Sequence, residues 1–142
     1  MIEFFLPGQP PRSTAQEKKV RVVHGRPMYY EPEKVKAAKA QLTAGLMRHR
    51  PPEPLEGAVG LEVYWYFETG RARQDGSWKT TRPDTDNLAK LLKDCMTRCG
   101  YWRDDAQVVR EVVEKRWSRE PGICIRLESL EKAEKEDADG GD

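Results

Sequence analysis

The chain has 142 residues, of which 35% are charged and 37% hydrophobic, with a formal net charge of +1, and this length is most simply one domain with a modest core. The absence of any run of about 18 apolar residues excludes a membrane-spanning helix. The first residues, MIEFFLPGQPPR, have no basic stretch before their apolar patch, which argues against a secretory signal and for a cytoplasmic location.

The first elements predicted along the chain are a strand, a hairpin and a helix. IEFFL at 2–6 is typical of a short strand, and VRVVHGRPMYY at 20–30 of a hairpin with its turn near His24-Gly25. A helix is predicted over 32–50, because apolar residues recur there at helical spacing. The apolar stripe of this helix consists of Val35, Ala38, Leu42 and Leu46.

Residues 59–67 predict a half-buried strand, because apolar and polar side chains alternate strictly along them. The face predicted to be buried consists of Val59, Leu61, Val63, Trp65 and Phe67. The segment that follows, ETGRARQDGSWKTTRP, is predicted to be a long basic loop.

A second helix is predicted from near Asp86 to the residue before Gly100, since glycine is favoured just after a helix C-terminus. Its apolar side consists of Leu88, Leu91, Leu92, Cys95, Met96 and Cys99. The three cysteines of the chain lack the paired spacing of a zinc site and are predicted to be small buried hydrophobes. The spacing leaves open whether this helix side packs on the sheet or on a partner subunit.

Two more strands are predicted, at 108–117 and 123–130. The order of elements predicts the α/β fold class, as a single small mixed α+β domain whose one sheet carries two packed helices. Residues 128–142 carry seven acids and two bases, which leaves 23 bases and 17 acids in residues 1–127. We therefore predict a basic domain over 1–127 and an acidic, disordered tail over 128–142, an asymmetry compatible with a nucleic-acid partner.

Five aspartates surround the second helix, within the segment RPDTDNLAKLLKDCMTRCGYWRDDAQVV at 82–109. They are Asp84, Asp86, Asp94, Asp104 and Asp105. Each has a structural explanation: Asp84 or Asp86 as a helix N-cap, Asp86–Lys90–Asp94 as a surface ion-pair series, and Asp104-Asp105 as a turn cap.

Taken together, the aspartates indicate a metal site. We expect the pair Asp84/Asp86 and the pair Asp104/Asp105 to meet near one end of a cleft. Carboxylates so close repel each other unless a cation neutralises them. Mg²⁺ is typically held by one or two carboxylates, waters and substrate phosphate oxygens, and it serves phosphodiester hydrolysis. Lys90, one turn after Asp86, is expected to steady the phosphate or the developing charge.

The same segment resembles the signature of the RusA family of Holliday junction resolvases, which are often found in phages and prophages. That signature is (K/R)-P-D-x-D-N-L-x-K-x-x-x-D, followed later by D-D, and RPDTDNLAKLLKD and DD match it without a gap. The resemblance covers roughly residues 2 to 127. It implies a RusA-like fold, a homodimer, Mg²⁺ as cofactor with Mn²⁺ as a possible substitute, and a function in DNA recombination and repair.

The resemblance also implies the reaction and the residues that perform it. Paired symmetrical nicks across a four-way junction would leave 5′-phosphate and 3′-hydroxyl ends. Asp84, Asp86 and Asp105 would be the metal-binding catalytic acids, and Lys90 the active-site lysine. The supporting residues would be Asn87, Asp94 and Asp104.

Phosphate contacts should provide most of the affinity for branched DNA. The candidate DNA-binding residues are Arg12, Lys18, Lys19, Arg21, Arg26, Arg71, Arg73, Lys79 and Arg82. Trp102 has two interpretations, a wedge against an unstacked base and, more in keeping with its context, a core or interface residue.

Two alternatives to a junction resolvase remain open at this point. One is a broader nuclease acting on flaps or replication forks. The other is a module that binds junctions without cutting them, although clustered acids would repel phosphate in the absence of metal. No membrane partner is expected.

Overall fold

The computed structural model describes residues 1–14 and 19–130. The strands are β1 (Ile2–Pro7), β2 (Lys19–Val23), β3 (Arg26–Tyr30), β4 (Val59–Glu68), β5 (Val108–Ser118) and β6 (Gly122–Ser129). The helices are α1 (Glu33–Met47) and α2 (Thr85–Cys99), with short 3₁₀ helices at Ala72–Gln74 and Asp105–Gln107. The predicted class, a small mixed α+β domain with two helices, is confirmed.

The main sheet has four strands in the order β1-β6-β4-β5. β4 and β5 are parallel and are joined by the crossover through α2, whereas the other pairs are antiparallel. The hairpin is where the sequence predicted it, but the prediction of one single sheet is wrong: β2 and β3 form a separate two-stranded sheet. Local alternation specifies a hairpin but not the strand edge on which it docks.

The core lies between the main sheet and the two helices. The predicted inner face of β4 is confirmed, since its five apolar side chains are at most 1% exposed. The predicted apolar side of α2 is likewise buried throughout. From α1, Val35, Leu42 and Leu46 are buried, while Ala38 is only partly covered.

The two cysteines of α2 face α1. The spacing had left open whether this side of α2 packs within the chain or on a partner subunit. The Cys95 thiol lies 4.0 Å from the carbonyl oxygen of Lys39, and the Cys99 thiol 3.8 Å from that of Thr43. Burial raises the pKa of both thiols. They are thus packing residues, and this side of α2 is covered within the chain.

Trp102 is a core residue and not an exposed wedge. It is 1% exposed, and its indole N–H donates to the Thr97 hydroxyl at 2.7 Å. Its neighbour Tyr101 is fully buried and donates its hydroxyl to the Leu46 carbonyl at 2.6 Å. The two residues thereby fasten the end of α2 to the end of α1.

We expect Tyr101→Phe to lower the free energy of unfolding by about 1 kcal/mol, because one buried neutral hydrogen bond is lost while the ring packing stays. Denaturant unfolding would measure this as a lower midpoint at unchanged slope. The matched control is Tyr66→Phe, whose hydroxyl has no hydrogen bond to any described residue. Equal midpoints for the two variants would contradict the assignment.

The last strand of the domain extends past the predicted boundary at residue 127. β6 continues to Ser129, and the Arg110 guanidinium binds the Glu128 carboxylate on it. The predicted tail therefore begins inside the last strand, and its residues 131–142 lie outside the described part of the chain. Within the described ranges, neither helix is long and apolar enough to cross a membrane.

Candidate active site

Asp84 and Asp86, the first acid pair, stand at the N-terminus of α2. Asp84 occupies the N-cap position in an extended conformation, yet its side chain makes no capping hydrogen bond. Asp86 lies in the first turn and accepts one hydrogen bond, from the Asn87 backbone N–H at 2.9 Å. Both aspartates are exposed. Asp84 is thus the N-cap residue of α2, as one of the structural explanations predicted, but its carboxylate does not bind the helix N-terminus and remains available to a ligand.

The ion-pair explanation for the helix face also fails. Within the part of the chain that the structure describes, no salt bridge joins Lys90 to Asp86 or to Asp94. Lys90 is exposed, whereas Asn87 and Asp94 are partly buried. The Lys90 ammonium is thus presented to solvent one helical turn beyond Asp86.

Asp104 and Asp105, the second acid pair, differ in their surroundings. Asp104 caps the 3₁₀ helix that starts at Asp105, accepting from the Ala106 N–H at 2.9 Å within a capping box completed by Gln107. Asp105 is exposed, and its carboxylate has no hydrogen-bond or ion-pair partner among the described residues. The turn-cap explanation therefore holds for Asp104 and not for Asp105.

The side chain of Gln107 holds this turn together through four hydrogen bonds. It is not among the candidate site residues predicted from the sequence. Its amide oxygen accepts from the N–H groups of Arg103 and Asp104, at 2.9 and 3.1 Å. Its amide nitrogen donates to the carbonyls of Leu55 and Gly57, at 2.9 and 3.0 Å. The spacing D-x-x-Q is a capping-box pattern that could have identified it. Gln107 thereby ties the second acid pair to the segment that enters β4.

The two acid pairs lie at opposite ends of α2, contrary to the expectation that they share one end of a cleft. α2 runs antiparallel to β5: Lys93 pairs with Glu111 at 3.3 Å, and Lys115 binds the Pro83 carbonyl at 2.7 Å. Asp105 begins the 3₁₀ helix that leads into β5, so the part of the strand from Val108 to Lys115, about 23 Å long, separates it from the start of α2.

This separation explains a second observation. Across residues 1–14 and 19–130, no three His, Cys, Asp or Glu side chains lie close enough together to hold one metal ion. The predicted set of Asp84, Asp86 and Asp105 is therefore not assembled within one chain. The length of α2 and its antiparallel course along β5 together decide this, because a 15-residue helix spans about 22 Å.

Several of the predicted DNA-binding residues lie at the end of the domain that carries the first acid pair. Arg71 and Arg73 follow the end of β4, and Arg82 precedes the acid pair; all three are exposed. Arg12 is partly buried and close enough to lower the pKa of Lys79. Positively charged residues thus lie at the same end of the domain as Asp84 and Asp86.

Lys79 does not have the exposed position expected of a DNA contact. It is 7% exposed, and its ammonium lies 4.5 Å from the centre of the Trp117 ring. Burial lowers the pKa of Lys79, and the charges of Lys115 and Arg12 lower it further. The ammonium donates to backbone and hydroxyl oxygens within the chain. Lys79 is thus an internal residue, and its prediction as a surface contact is wrong.

The remaining basic candidates belong to the first loop and the hairpin. Arg21 and Arg26 are exposed on β2 and β3. Lys19 begins β2, where its backbone pairs with that of Tyr30. Lys18 lies outside the described residues. The hairpin, as a sheet of its own, carries these charges outside the main sheet.

Trp78 is exposed in the loop that leads to the first acid pair. It is not among the candidate site residues predicted from the sequence. It is 57% exposed, and the Arg116 guanidinium lies 3.7 Å from the centre of its ring. An aromatic residue inside a basic loop was the available signal.

The model of one known family, described as Endodeoxyribonuclease RusA, matches residues 7–128. The chain belongs to the RusA family. This match confirms the resemblance carried by RPDTDNLAKLLKD and the later double aspartate, and it contains both acid pairs.

The chain is also similar to two known proteins, one of which is itself named as a rusA endodeoxyribonuclease. The chain is 36% identical over 110 residues to the crossover junction endodeoxyribonuclease rusA of Lactococcus phage r1t, covering 76% of this chain and 81% of the phage protein. It is also 27% identical over 140 residues to the uncharacterized protein YqaN of Bacillus subtilis (strain 168), covering 91% and 96%. The similarity therefore extends over most of the length of each relative.

Proposed function

We propose that this RusA-family chain is a Mg²⁺-dependent endodeoxyribonuclease that resolves four-way DNA junctions in recombination and repair. It would make paired symmetrical nicks that leave 5′-phosphate and 3′-hydroxyl ends. The observation that carries the proposal is that three exposed motif carboxylates, Asp84, Asp86 and Asp105, form no ion pair with any described residue, in a chain of this family. Free carboxylates near a phosphodiester are unfavourable unless a cation neutralises them.

The donor set fits a hard divalent cation. All the candidate ligands are carboxylate oxygens, which suit Mg²⁺ and Mn²⁺, and no sulfur or imidazole accompanies them in the motif. Asp84 and Asp86 would hold the ion, since Mg²⁺ needs only one or two carboxylates besides water and phosphate oxygens. When bound, Mg²⁺ acts as a Lewis acid toward phosphate oxygens and makes water a stronger nucleophile at neutral pH.

The side chains around the first acid pair would orient the substrate. Lys90, exposed one turn beyond Asp86, would donate to a non-bridging phosphate oxygen and stabilise the charge that develops there. Asn87 would support the position of Asp86, whose carboxylate already accepts the Asn87 N–H. The role of Asp94 would be to support α2 from the partly buried face of the helix.

A homodimer would bring Asp105 to the first acid pair, which it cannot reach within its own chain. In a two-fold dimer, a contact from residue i to residue j is repeated from j to i. An antiparallel approach of the two α2 helices would therefore set Asp105 of the partner subunit beside Asp84 and Asp86, twice. Two such composite sites, related by the two-fold axis, would suit two symmetrical nicks.

Substituting both Arg71 and Arg73 by alanine should weaken junction binding about tenfold or more at moderate salt. It should also reduce the salt dependence of the affinity, because fewer phosphate contacts release fewer counterions from the DNA on binding. Titrations of a labelled junction at several salt concentrations would measure both effects. The matched control replaces Lys34 and Lys36, two lysines on α1. Equal salt slopes for the two double variants would contradict a DNA path at this end of the domain.

The test of the proposed function is cleavage of a synthetic four-way junction beside a linear duplex, a flap and a fork, with Mg²⁺ or with EDTA. We expect metal-dependent paired nicks in the junction only, and ends that a ligase reseals. Equal cleavage of flaps or forks would indicate the broader nuclease. Tight junction binding without cutting in Mg²⁺ or Mn²⁺ would indicate the binding module and overturn the proposal.

A further inference from the structure

The loop of residues 81–83, which leads directly into Asp84, is bound by two lysines from outside it. The Lys115 ammonium, on β5, donates to the carbonyls of Thr81 and Pro83 at 2.8 and 2.7 Å. The Lys79 ammonium donates to the Thr81 hydroxyl at 2.5 Å and to the Arg82 carbonyl at 2.6 Å. Two ammonium groups thus bind three consecutive carbonyls immediately before the first acid pair.

Burying a lysine ammonium without a carboxylate partner is unfavourable in free energy. Lys79 is almost completely buried between the rings of Phe67 and Trp117, 5.1 and 4.5 Å from its ammonium. Neither Lys79 nor Lys115 pairs with a carboxylate of residues 1–14 or 19–130. A buried ammonium beside a second one is unfavourable, as the lowered pKa of Lys79 reflects. The carbonyl dipoles and the aromatic faces are what offset that cost.

No described residue holds the side chain of Asp84 through a hydrogen bond or an ion pair. Asp84 makes no capping bond, is exposed, and follows the buried Pro83 directly. The point from which the Asp84 carboxylate projects is therefore set by the backbone of the 81–83 loop. That backbone is in turn fixed to the sheet through Lys115 and to the aromatic core through Lys79.

We propose that Lys115 and Lys79 are positioning residues that fix the 81–83 loop and thereby hold Asp84 and Asp86 ready for a divalent cation. The inference rests on the metal site of the proposed function. Removing a group that orients a metal ligand typically lowers the affinity for the metal 10- to 100-fold. Neither lysine would contact the metal or the DNA.

A purely electrostatic role predicts the opposite result. An ammonium near a cation site repels the cation, so its removal should strengthen metal binding. A positioning role predicts weaker binding instead, because the freed loop must be ordered when the ion binds. The direction of the change therefore separates the two explanations.

The experiment measures Mn²⁺ binding to the full-length protein, from the electron paramagnetic resonance signal of free Mn²⁺, for wild type, Lys115→Met and Lys115→Arg. We expect about tenfold weaker binding for Lys115→Met. Lys115→Arg, which keeps a charge and donors for the two carbonyls, should recover part of the loss. The matched control is Lys36→Met, an exposed lysine on α1, and unfolding midpoints would establish that all variants are folded.

Lys115→Met binding Mn²⁺ as tightly as wild type, or more tightly, would overturn the inference and leave the proposed function intact. Wild type failing to bind Mn²⁺ while cleaving no junction would instead overturn the metal site itself. Lys79→Met is the second variant, because it releases the Arg82 carbonyl while leaving the contacts of Lys115 in place. It should weaken Mn²⁺ binding in the same direction, and tighter binding would contradict the positioning role.

Discussion

Asp86→Asn should reduce junction cleavage by more than about 100-fold, since even groups that only orient a metal ligand contribute 10- to 100-fold. Junction binding should remain or become tighter, because one negative charge facing the phosphates is removed. Asparagine keeps the size of the side chain and can still accept the Asn87 N–H, so the start of α2 should stay folded.

Two assays on the same preparation would measure this separation. Single-turnover cleavage in Mg²⁺ gives the rate, and a binding titration in EDTA gives the affinity. The matched control is Glu53→Gln, an exposed acid away from the motif that loses the same charge. Cleavage by Asp86→Asn at the wild-type rate would show that Asp86 is not a metal ligand, and lost binding together with lost cleavage would indicate misfolding.

Mixed dimers of Asp86→Asn and Asp105→Asn should regain cleavage that neither homodimer has. If each site takes Asp84 and Asp86 from one subunit and Asp105 from the other, one of the two sites in the mixed dimer carries no substitution. The mixed dimer should therefore nick one strand of a junction, at up to half of the wild-type initial rate, instead of making paired nicks. A site built within one chain would leave both sites of this dimer inactive.

The control for that experiment is the mixed dimer of Asp84→Asn and Asp86→Asn. Both substitutions affect the first acid pair, so each composite site would carry one of them and no activity should return. Differently tagged subunits, refolded together and purified by both tags, would supply the two mixed dimers. Cleavage by the Asp105→Asn homodimer at the wild-type rate would contradict any part for Asp105 in the site.

The positions that the sequence predicted correctly are those set by local patterns. Alternation along β4 and helical spacing along α2 predicted which faces are buried, and Gly100, in the left-handed conformation with a φ of 83°, ends α2 as expected. The motif around Asp84 and Asp86 is by itself enough to indicate the family. The buried faces depend on periods of two and 3.6 residues, which can be read over a few turns or strand residues.

What required the tertiary structure is every relation between distant segments. The sequence alone determined the motif, the elements and the family, because each depends on neighbouring residues. Only the packing of α2 along β5 decided that Asp105 lies a helix length from Asp84. Because α2 runs antiparallel to β5, Asp105 lies near the end of the helix and Asp84 at its start. Only the fold buried Lys79 against the rings of Phe67 and Trp117 and brought Lys115 to the Pro83 carbonyl, because these contacts join the loop to two strands that are distant from it in sequence.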